Sequence, residues 1–269
     1  MRHAWLIIAH NEFGILQRLI SALDSSESDI FVHIDKKVAV LPELHAEKSY
    51  LDVLHGRVDV RWGSVRQIQC EFALLEAAAI NGPYDYYHII SGTTLPLKGM
   101  SEINQYFETK KGKSTCTRLY KSSLYQETLK VRRYNLFLNN YASDNAFLKS
   151  CSQFLWKSSI AIQRILGIEV NRSKEFYKAS NWLSLTEEAT QYLLSREKEI
   201  LKIYRYSFCG DEYFVPSELM ASAYKDRIIS DDHYLLHDIV RSNASVFHLA
   251  EYDELCKTDY LFARKFTEA

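Results

Sequence analysis

Apolar positions recur with two different spacings in the first part of the chain, and they predict strands that alternate with helices. Residues 4–10 form a short apolar run, and residues 29–35 are rich in β-branched and aromatic side chains, so both are expected to be buried strands. Between them, residues 12–24 repeat leucine and isoleucine every three or four positions. This spacing is typical of an amphipathic helix with one buried face.

A second helix and a third strand follow. Residues 64–79 carry apolar side chains on one helical face, with Ser64 as the candidate N-cap. After an Asn-Gly-Pro turn, residues 84–91 have the composition of another strand. An order of strand, helix, strand, helix, strand is typical of α/β proteins. The pattern therefore predicts an α/β fold with a parallel sheet and helices packed against it.

Polar residues follow each of the three predicted strands. His10 follows the first, Asp35 the second, and the segment from Ser91 to Thr94 the third. Because ligands of open α/β sheets bind beyond the carboxyl ends of the strands, these residues are expected to converge on a ligand site. Asp35 has two interpretations: a carboxylate that accepts hydrogen bonds from a ribose or uracil, or a turn residue balanced by the two lysines after it.

The rest of the chain is more helical, and it contains no internal repeat and no Pro/Gly-rich linker, so we expect one domain. The predictions are a mainly helical segment over 120–178, a strand over 181–186, a helix over 187–204, a Gly-Asp-Glu step into another helix over 207–224, and a strand over 244–249.

Composition narrows the classes of function. The chain has 269 residues and a formal net charge of -1, so the basic field of most proteins that bind long nucleic acids is missing. The five cysteines are odd in number and form no CxxC pair, which argues against a disulfide framework or structural zinc and for a reducing compartment. No apolar run is long enough for a membrane span, and no signal-peptide pattern occurs. We expect a cytoplasmic protein, with peripheral membrane association left open.

Several motifs with known chemistry are missing from the sequence. It contains no GxGxxG, GxxxxGK[ST], HExxH or GxSxG pattern, which disfavours dinucleotide dehydrogenases, P-loop NTPases, zinc proteases and α/β-hydrolases. No two aspartates have the Asp-x-Asp spacing that often holds a divalent ion in sugar transferases, which also argues against a metal-dependent nucleotidyltransferase. If the protein uses a nucleotide-sugar, side-chain cations must therefore stabilise the diphosphate.

Two charged pairs are candidates for chemistry. Asp211 and Glu212 are adjacent, and on a helix they project about 100° apart, so only one can easily face a shared site. One of them could be a general base, or both could be acids that favour a helix N-terminus. Arg264 and Lys265 lie between aromatic residues near the end of the sequence. They are either an anion site or a basic pair above apolar side chains.

Six segments together resemble one enzyme family, the core-2/I-branching β-1,6-N-acetylglucosaminyltransferases and the related peptide xylosyltransferases. The resemblance is strongest over the first 110 residues and in the C-terminal segment. It implies a GT-A-type fold, an inverting mechanism and no metal or other cofactor. In chain order, the segments are LIIAHNE, IFVHIDKK, VRWGSVRQIQCEFALLEAA, YDYYHIISGTTLPLKGMSEINQYF, CGDEYFVPSEL and LFARKF.

The resemblance also implies roles for individual residues. Glu212 falls at the position of the catalytic base, and Lys265 at the position of a cation that binds the donor diphosphate. Arg241 and Arg264 are the candidates for a second such cation. The other positions implied to contact the nucleotide-sugar are His10, Asp35, Trp62 and Ser64. The positions implied to lie near the donor or acceptor sugar are Ser91, Thr94, Glu102, Trp182 and Asp211.

Thr94 is a departure from the family pattern. The family usually has Asp at this position, so an uncharged hydroxyl replaces a carboxylate in the loop near the donor sugar. This change leaves the identity of the donor open between UDP-N-acetylglucosamine, which the family favours, and UDP-xylose or UDP-galactose. A non-catalytic module that binds glycans or nucleotides is the alternative from another class.

The expected activity is sugar transfer from a UDP-sugar to a hydroxyl of a glycan or lipid-linked saccharide. One domain is expected over 1–269, with a nucleotide-binding half over 1–110 and an acceptor-binding half over 111–269. The sequence begins directly at its first predicted strand and lacks the N-terminal anchor and disulfides of the animal relatives. We therefore expect a bacterial, cytoplasmic enzyme of surface polysaccharide synthesis that binds no nucleic acid.

Overall fold

The computed structural model describes most of the chain, and its helices and strands can be given with their bounds. The residues described are 1–236, 239–240, 243–244 and 246–268. Arg241, one candidate for the second diphosphate cation, lies outside them.

The strands are β1 His3–Ala9, β2 Ser28–Ile34, β3 Tyr50–Val53, β4 Tyr86–Ser91, β5 Thr94–Pro96, β6 Ser114–Cys116, β7 Tyr120–Lys121, β8 Tyr177–Lys178, β9 Leu183–Thr186, β10 Ile228–Ser230, β11 Leu235–Leu236, β12 Ile239–Val240, β13 Asn243–Ala244, β14 Phe247–His248, β15 Phe262–Arg264 and β16 Phe266–Thr267. The α-helices are α1 Phe13–Leu23, α2 Arg66–Asn81, α3 Met100–Thr109, α4 Leu124–Lys130, α5 Ala146–Ile165, α6 Glu187–Ser195, α7 Glu197–Tyr204, α8 Phe214–Met220 and α9 Tyr252–Leu255.

A seven-stranded sheet forms the centre of the fold, in the order β10-β6-β9-β4-β1-β2-β3. Strands β1 to β4 are parallel where they pair, and β10 is parallel to β6. Only β9, which lies between β4 and β6, runs antiparallel to its neighbours. The predicted α/β fold, a mostly parallel sheet flanked by helices, is confirmed.

The two elements at the start of the chain follow the apolar pattern closely. All seven residues of β1 except Ile8 are buried, as expected for a central strand with both faces covered. The buried face of α1 consists of Ile15, Leu16, Leu19, Ile20 and Leu23, which is the predicted stripe. Since each residue of such a stripe removes apolar area from water, the pattern alone orients this helix against the sheet.

Two helix predictions need correction. Helix α2 begins at Arg66, so Val65 occupies the N-cap position, and the Ser64 hydroxyl accepts a weak hydrogen bond from the Arg66 N–H at 3.3 Å. The single helix predicted over 187–204 is two helices that meet at Arg196. The Arg196 guanidinium pairs at 3.1 Å with Glu218, which is 1% exposed. Lys174 also pairs with this carboxylate, at 2.6 Å, and the contact from Arg196 links the junction of the two helices to α8.

The middle and late segments are less regular than predicted. Between 120 and 178, only α4 and α5 are α-helices, with a two-residue strand pair, β7 and β8, at the ends of the segment. The Gly-Asp-Glu step forms a single 3-10 turn, Gly210–Glu212, before α8 begins. The late strand predicted over 244–249 falls partly outside the described residues, and β13 and β14 are its described parts.

The C-terminal segment returns to the body of the protein. Strand β15 pairs with β11 and β5, and it places Arg264 opposite Thr94. Leu261, Phe262 and Phe266 are at most 4% exposed, so they anchor this segment in the core. Within the described part of the chain, none of the helices is both long enough and apolar enough to cross a bilayer.

Candidate active site

The carboxyl ends of β1, β2 and β4 bring together the polar residues that follow them. The Asp35 N–H donates to the Ala9 carbonyl at 2.9 Å, which ties the end of β2 to the end of β1. The buried Asp35 side chain accepts hydrogen bonds from the Lys37 N–H at 2.9 Å and from Lys37 Nζ at 2.7 Å. The interpretation of Asp35 as a turn residue balanced by a lysine therefore describes its contacts in this structure.

His10 shares this edge of the sheet with residues from both ends of the chain. Burial lowers the pKa of His10, the nearby Asp35 carboxylate opposes this effect, and the Lys265 and Lys37 ammonium groups lower the pKa further. The structure thus brings His10, Asp35 and Lys265 into electrostatic contact, although more than two hundred residues separate the first two from the third. A neutral imidazole is the expected form of His10 at pH 7.

Arg264 is a buried cation. Its side chain is 8% exposed and its guanidinium carbon lies 4.6 Å from the ring centroid of Trp182. Among the described residues no carboxylate forms an ion pair with it, and its Nε has no hydrogen-bond partner. Burial lowers the pKa of Arg264 to about 9. A group in this environment has unused capacity to bind an anion.

Lys265 lies next to Arg264 but is exposed. Its pKa is lowered, first by partial burial and then by the charge of Arg264. Two adjacent cations repel each other, and an anion bound between or above them would relieve this repulsion. Both residues therefore fit a site for a negatively charged group, which Arg264 would contact from the protein interior and Lys265 from the surface.

The loop after β4 lies beside this cationic pair. The Ser91 hydroxyl forms hydrogen bonds of 2.9 Å with Thr94 Oγ1 and 3.2 Å with Thr93 Oγ1, and Ser91 and Thr94 are both buried. Gly92 packs against β1 so closely that a Cβ atom there would lie 2.7 Å from the Ala9 Cβ. Only glycine fits without a shift of the backbone, which fixes the hydroxyl-rich loop at the end of the strand.

Two lysines hold Glu212. The Nζ atoms of Lys130 and Lys178 lie 3.0 and 3.1 Å from Glu212 Oε2. Burial by itself would raise the pKa of Glu212, but the two ammonium groups outweigh it and the net shift is downward. Glu212 is therefore an ionised carboxylate across the neutral pH range.

Asp211 has the opposite environment. Its Oδ2 accepts a hydrogen bond from Asn181 Nδ2 at 3.1 Å. Burial and the adjacent Glu212 charge raise the pKa of Asp211 to about 7, against the opposing effect of Lys130 and Lys178. The two neighbouring carboxyl groups thus differ in protonation, and they point to different partners, as the sequence predicted for adjacent residues.

Glu71 is a third acid of this cluster, and the sequence interpretation missed it. It is 1% exposed on α2, accepts a hydrogen bond from Gln67 Nε2 at 3.3 Å, and has a pKa raised well above its usual value by burial and then by Asp211. A signal was present, because a glutamate stands on the apolar face between Ile68 and Leu75. Lys130 and Lys178 were also missed, and they lie in the loosely patterned middle segment.

The loop before α2 contacts the turn that carries the carboxylates. The Cys209 N–H donates to the Gly63 carbonyl at 2.8 Å, and a Cβ atom on Gly63, whose φ is +74°, would lie 2.6 Å from the Phe208 ring. Trp62 is 56% exposed, stacks on Tyr141 at 5.7 Å and meets the Phe208 ring edge-on. Trp62 therefore offers an exposed aromatic face beside the acidic turn.

Two other predicted site residues are engaged in local structure. The Ser64 hydroxyl donates to the Arg61 carbonyl at 2.8 Å, within its own turn. The exposed Glu102 accepts a hydrogen bond from the Gly99 N–H at 3.0 Å, at the start of α3. A helix cap accounts for this contact of the carboxylate, and the expectation that Glu102 lies near a sugar stays a prediction.

An open cleft of about 470 Å³ lies elsewhere, where α7 and α8 meet the segment before β8. None of the predicted site residues lines it. Its cation Lys174 is already paired with the buried Glu218 at 2.6 Å, so this cleft offers no unpaired charge comparable to that of Arg264.

The comparisons with known proteins agree with the resemblance. The family model of the Core-2/I-branching enzymes matches residues 3–246. The chain therefore belongs to the Core-2/I-branching enzyme family, and the protein is a glycosyltransferase.

Among solved structures, the chain is similar to the apo form of mouse xyloside xylosyltransferase 1. The two share 10% sequence identity, with a TM-score of 0.41, over 97% of this chain and 96% of that one. A comparison with curated proteins gives no match.

Proposed function

We propose that the protein transfers a sugar, most simply N-acetylglucosamine, from a UDP-sugar to a hydroxyl group of a glycan acceptor with inversion at the anomeric carbon. The observation that supports this best is the separation of charge in the site. An ionised carboxylate, Glu212, is held by two lysines, while the cationic pair Arg264 and Lys265 has no acidic partner among the described residues. Such a site suits a reaction that removes a proton and releases a diphosphate.

In the proposed step, Glu212 accepts the proton of the acceptor hydroxyl. The hydroxyl oxygen attacks the anomeric carbon from the side opposite the nucleotide, and the bond from that carbon to the phosphate oxygen breaks. UDP leaves with the electron pair of that bond. Lys130 and Lys178 keep Glu212 unprotonated before the step, and they orient its Oε2 by two hydrogen bonds.

The leaving diphosphate is assigned to Arg264 and Lys265. Charge-assisted hydrogen bonds from guanidinium and ammonium groups are about twice as strong as neutral ones, and they act most strongly where water is excluded. His10 and Asp35, at the same edge as Lys265, are assigned to the uridine. This arrangement needs no metal ion.

The donor sugar is the least constrained part of the proposal. Thr94 is buried, is hydrogen-bonded to Ser91 and lies opposite Arg264. The hydroxyl groups of Thr94 and Ser91 thus occupy the place where the family usually has a carboxylate. UDP-xylose and UDP-galactose are therefore tested beside UDP-N-acetylglucosamine. We propose a saccharide of bacterial surface polysaccharide synthesis as the acceptor.

A donor panel tests the function directly. Purified protein is incubated with each UDP-sugar and a set of saccharide acceptors, and products are identified by mass spectrometry, with the anomeric configuration read by NMR. The expected product carries one added N-acetylhexosamine in β linkage. UDP binding by calorimetry without transfer from any donor would instead support a binding module.

A further inference from the structure

Helix α5 turns most of its large apolar side chains away from the protein. Over its 20 residues, the only buried ones are Ser152, Ile160 and Gln163, two of which are polar. The exposed side chains on its other face include Phe147 at 74%, Leu148 at 43%, Phe154 at 69%, Leu155 at 44%, Ile162 at 56% and Ile165 at 84%. An amphipathic helix of a globular protein normally has the reverse orientation.

Specific contacts fix this orientation. Gln163 is bonded twice to Tyr134, as acceptor from the backbone N–H at 2.9 Å and as donor to the carbonyl at 2.8 Å. Trp156 Nε1 donates to Asn135 Oδ1 at 2.8 Å, and the Ser152 hydroxyl donates to the Phe137 carbonyl. Rotating α5 to bury its apolar face would break these bonds, so the exposed face belongs to the folded state.

The charges of α5 all have the same sign. The helix contains Lys149, Lys157 and Arg164, all exposed, and no Asp or Glu. Lys157 and Arg164 are seven residues apart, so they lie on one side of the helix, next to the stripe that contains Phe154. Apolar and aromatic residues bordered by cations are typical of helices that lie in a membrane interface.

We propose that the outward face of α5 binds an anionic lipid bilayer, with the helix lying along the membrane surface. The apolar stripe would enter the boundary between headgroups and acyl chains, while Lys157 and Arg164 would contact anionic headgroups. The inward face stays bound to the protein through Trp156 and Gln163.

A second copy of the chain fits this face less well than a bilayer does. Packing two α5 stripes together would bring the bordering cations of both copies close to each other. Because the helix has no carboxylate to pair with them, this contact would be opposed by repulsion between like charges. An anionic surface meets the apolar stripe and its cations at the same time.

This surface lies near the acidic turn of the site. Trp156 packs against Phe208 and Tyr141 at ring distances of 5.4 Å each, and Phe208 is three residues before Asp211. A bound bilayer would therefore hold the site close to the membrane surface. If the proposed transferase function holds, on which this last step depends, a membrane-attached saccharide is the favoured class of acceptor.

Vesicle flotation with the full chain tests the proposal. We expect the protein to float with vesicles of phosphatidylcholine and phosphatidylglycerol much more than with phosphatidylcholine alone. Phe154→Ser with Ile165→Ser, and separately Lys157→Glu with Arg164→Glu, should each weaken binding at least ~10-fold. The matched control for the apolar variant is Val40→Ser with Ile80→Ser, at side chains that are 81% and 84% exposed. The matched control for the charge variant is Lys198→Glu with Lys202→Glu on α7. Both controls should bind vesicles as the wild type does.

Two results would overturn the proposal. One is flotation that is equal for the α5 variants and their controls. The other is a dimer in analytical ultracentrifugation that both α5 variants abolish while vesicle binding is absent. UDP affinity, measured by calorimetry on the same proteins, separates the two proposals. Vesicle binding without UDP binding refutes only the proposed transfer from a UDP-sugar, and UDP binding without vesicle binding refutes only the proposed membrane surface.

Discussion

Arg264 carries a positive charge inside the protein, and among the described residues no carboxylate neutralises it. Removing a cation from a buried ion pair leaves an unpaired acid and is strongly destabilising, but Arg264 has no such partner to leave behind. The residue therefore costs stability in the free protein, and the binding of an anion is the natural explanation for its presence.

The first prediction compares Arg264→Met with Arg132→Met. The Arg132 side chain is 11% exposed and also lies over an aromatic ring, at 5.5 Å from Phe176, but it pairs with the buried Glu127 at 2.7 Å. We expect Arg264→Met to keep or raise the melting temperature and to weaken UDP binding about 10- to 100-fold. Arg132→Met should lower the free energy of unfolding by about 3–5 kcal/mol. Equal destabilisation by both substitutions in chemical denaturation, with UDP affinity unchanged in Arg264→Met, would refute this assignment.

The second prediction concerns Glu212 as the base. Glu212→Gln keeps the size of the side chain and removes its ability to accept a proton, so transfer should fall by about 10²–10⁴-fold while UDP affinity changes little. Glu254→Gln is the control, because Glu254 also pairs with a lysine, Lys257, but at the surface. Near-normal turnover by Glu212→Gln in a direct product assay would assign the base to another residue.

The third prediction follows from the raised pKa of Asp211. Its value of about 7 in the folded state lies above the ordinary value of 3.8, so the native state holds an extra proton between these limits. Stability from this group is therefore lost as the pH rises toward 7. Asp211→Asn removes this pH dependence. The free energy of unfolding of the variant, relative to that of the wild type, should therefore be roughly 2 kcal/mol higher at pH 8 than at pH 5.

The control for this measurement is Asp59→Asn. Burial would raise the pKa of Asp59, but contacts with Arg61 and Lys37 outweigh it and the pKa is lowered. Asp59 is therefore ionised throughout this window, and its substitution should have the same effect on the melting temperature at both pH values. If the difference between Asp211→Asn and wild type were also independent of pH, the raised pKa would be refuted.

Among the elements, β15 connects the C-terminal segment to both the core and the site. It pairs with β5 and β11, and its first residue, Phe262, is fully buried beside Trp5 and Tyr234. Removing this strand would therefore prevent folding and would also remove the cationic pair.

The fourth prediction separates these two effects. Truncation after Tyr260 should abolish UDP binding, but it should also abolish the cooperative unfolding transition. Phe262→Ala should lower the free energy of unfolding by about 3–5 kcal/mol, because it leaves a cavity, without changing UDP affinity in the folded fraction. A truncated protein that unfolds as cooperatively as the full chain would contradict the structural role of β15.

The sequence predicted elements well where local periodicity decides the structure. The apolar patterns of β1 and α1 determine which of their side chains are buried. Both elements are found within a residue or two of their expected bounds. The break between α6 and α7 was not predicted. Arg196, at this junction, contacts Glu218 of another helix, and local periodicity carries no information about such a contact. The outward apolar face of α5 was hidden for the same reason, since its rotation is set by bonds to Tyr134 and Asn135.

For the whole molecule, the balance of charges leads to the fifth prediction, that transfer does not need a metal ion. The proposed counter-charges for the diphosphate are Arg264 and Lys265, which chelators do not remove. Activity should be unchanged after dialysis against EDTA and should not rise when Mg²⁺ or Mn²⁺ is restored. A strict requirement for either ion would refute the assignment of the diphosphate to side chains alone.

The candidate site depends on contacts across the whole chain. His10, Asp35, Glu212 and Lys265 were found from short motifs, because a polar residue after a strand and a resemblance to a family are both local in sequence. Lys130 and Lys178 were not found, although they lower the pKa of Glu212 and oppose the rise in the pKa of Asp211. Glu71, whose own pKa is raised by burial and by Asp211, was not found either. The expectation of one domain over residues 1–269 stays a prediction.

By itself, the sequence determined the α/β fold and the positions of the polar residues at the strand ends, because hydrophobic periodicity acts between residues a few positions apart. Only the tertiary structure decided which charges are paired. Glu212 is held by lysines 82 and 34 residues before it, whereas Arg264 is buried against Trp182 without an acid among the described residues. Burial and ion pairing depend on distances through space, and these distances determine which side chains remain free to bind a substrate.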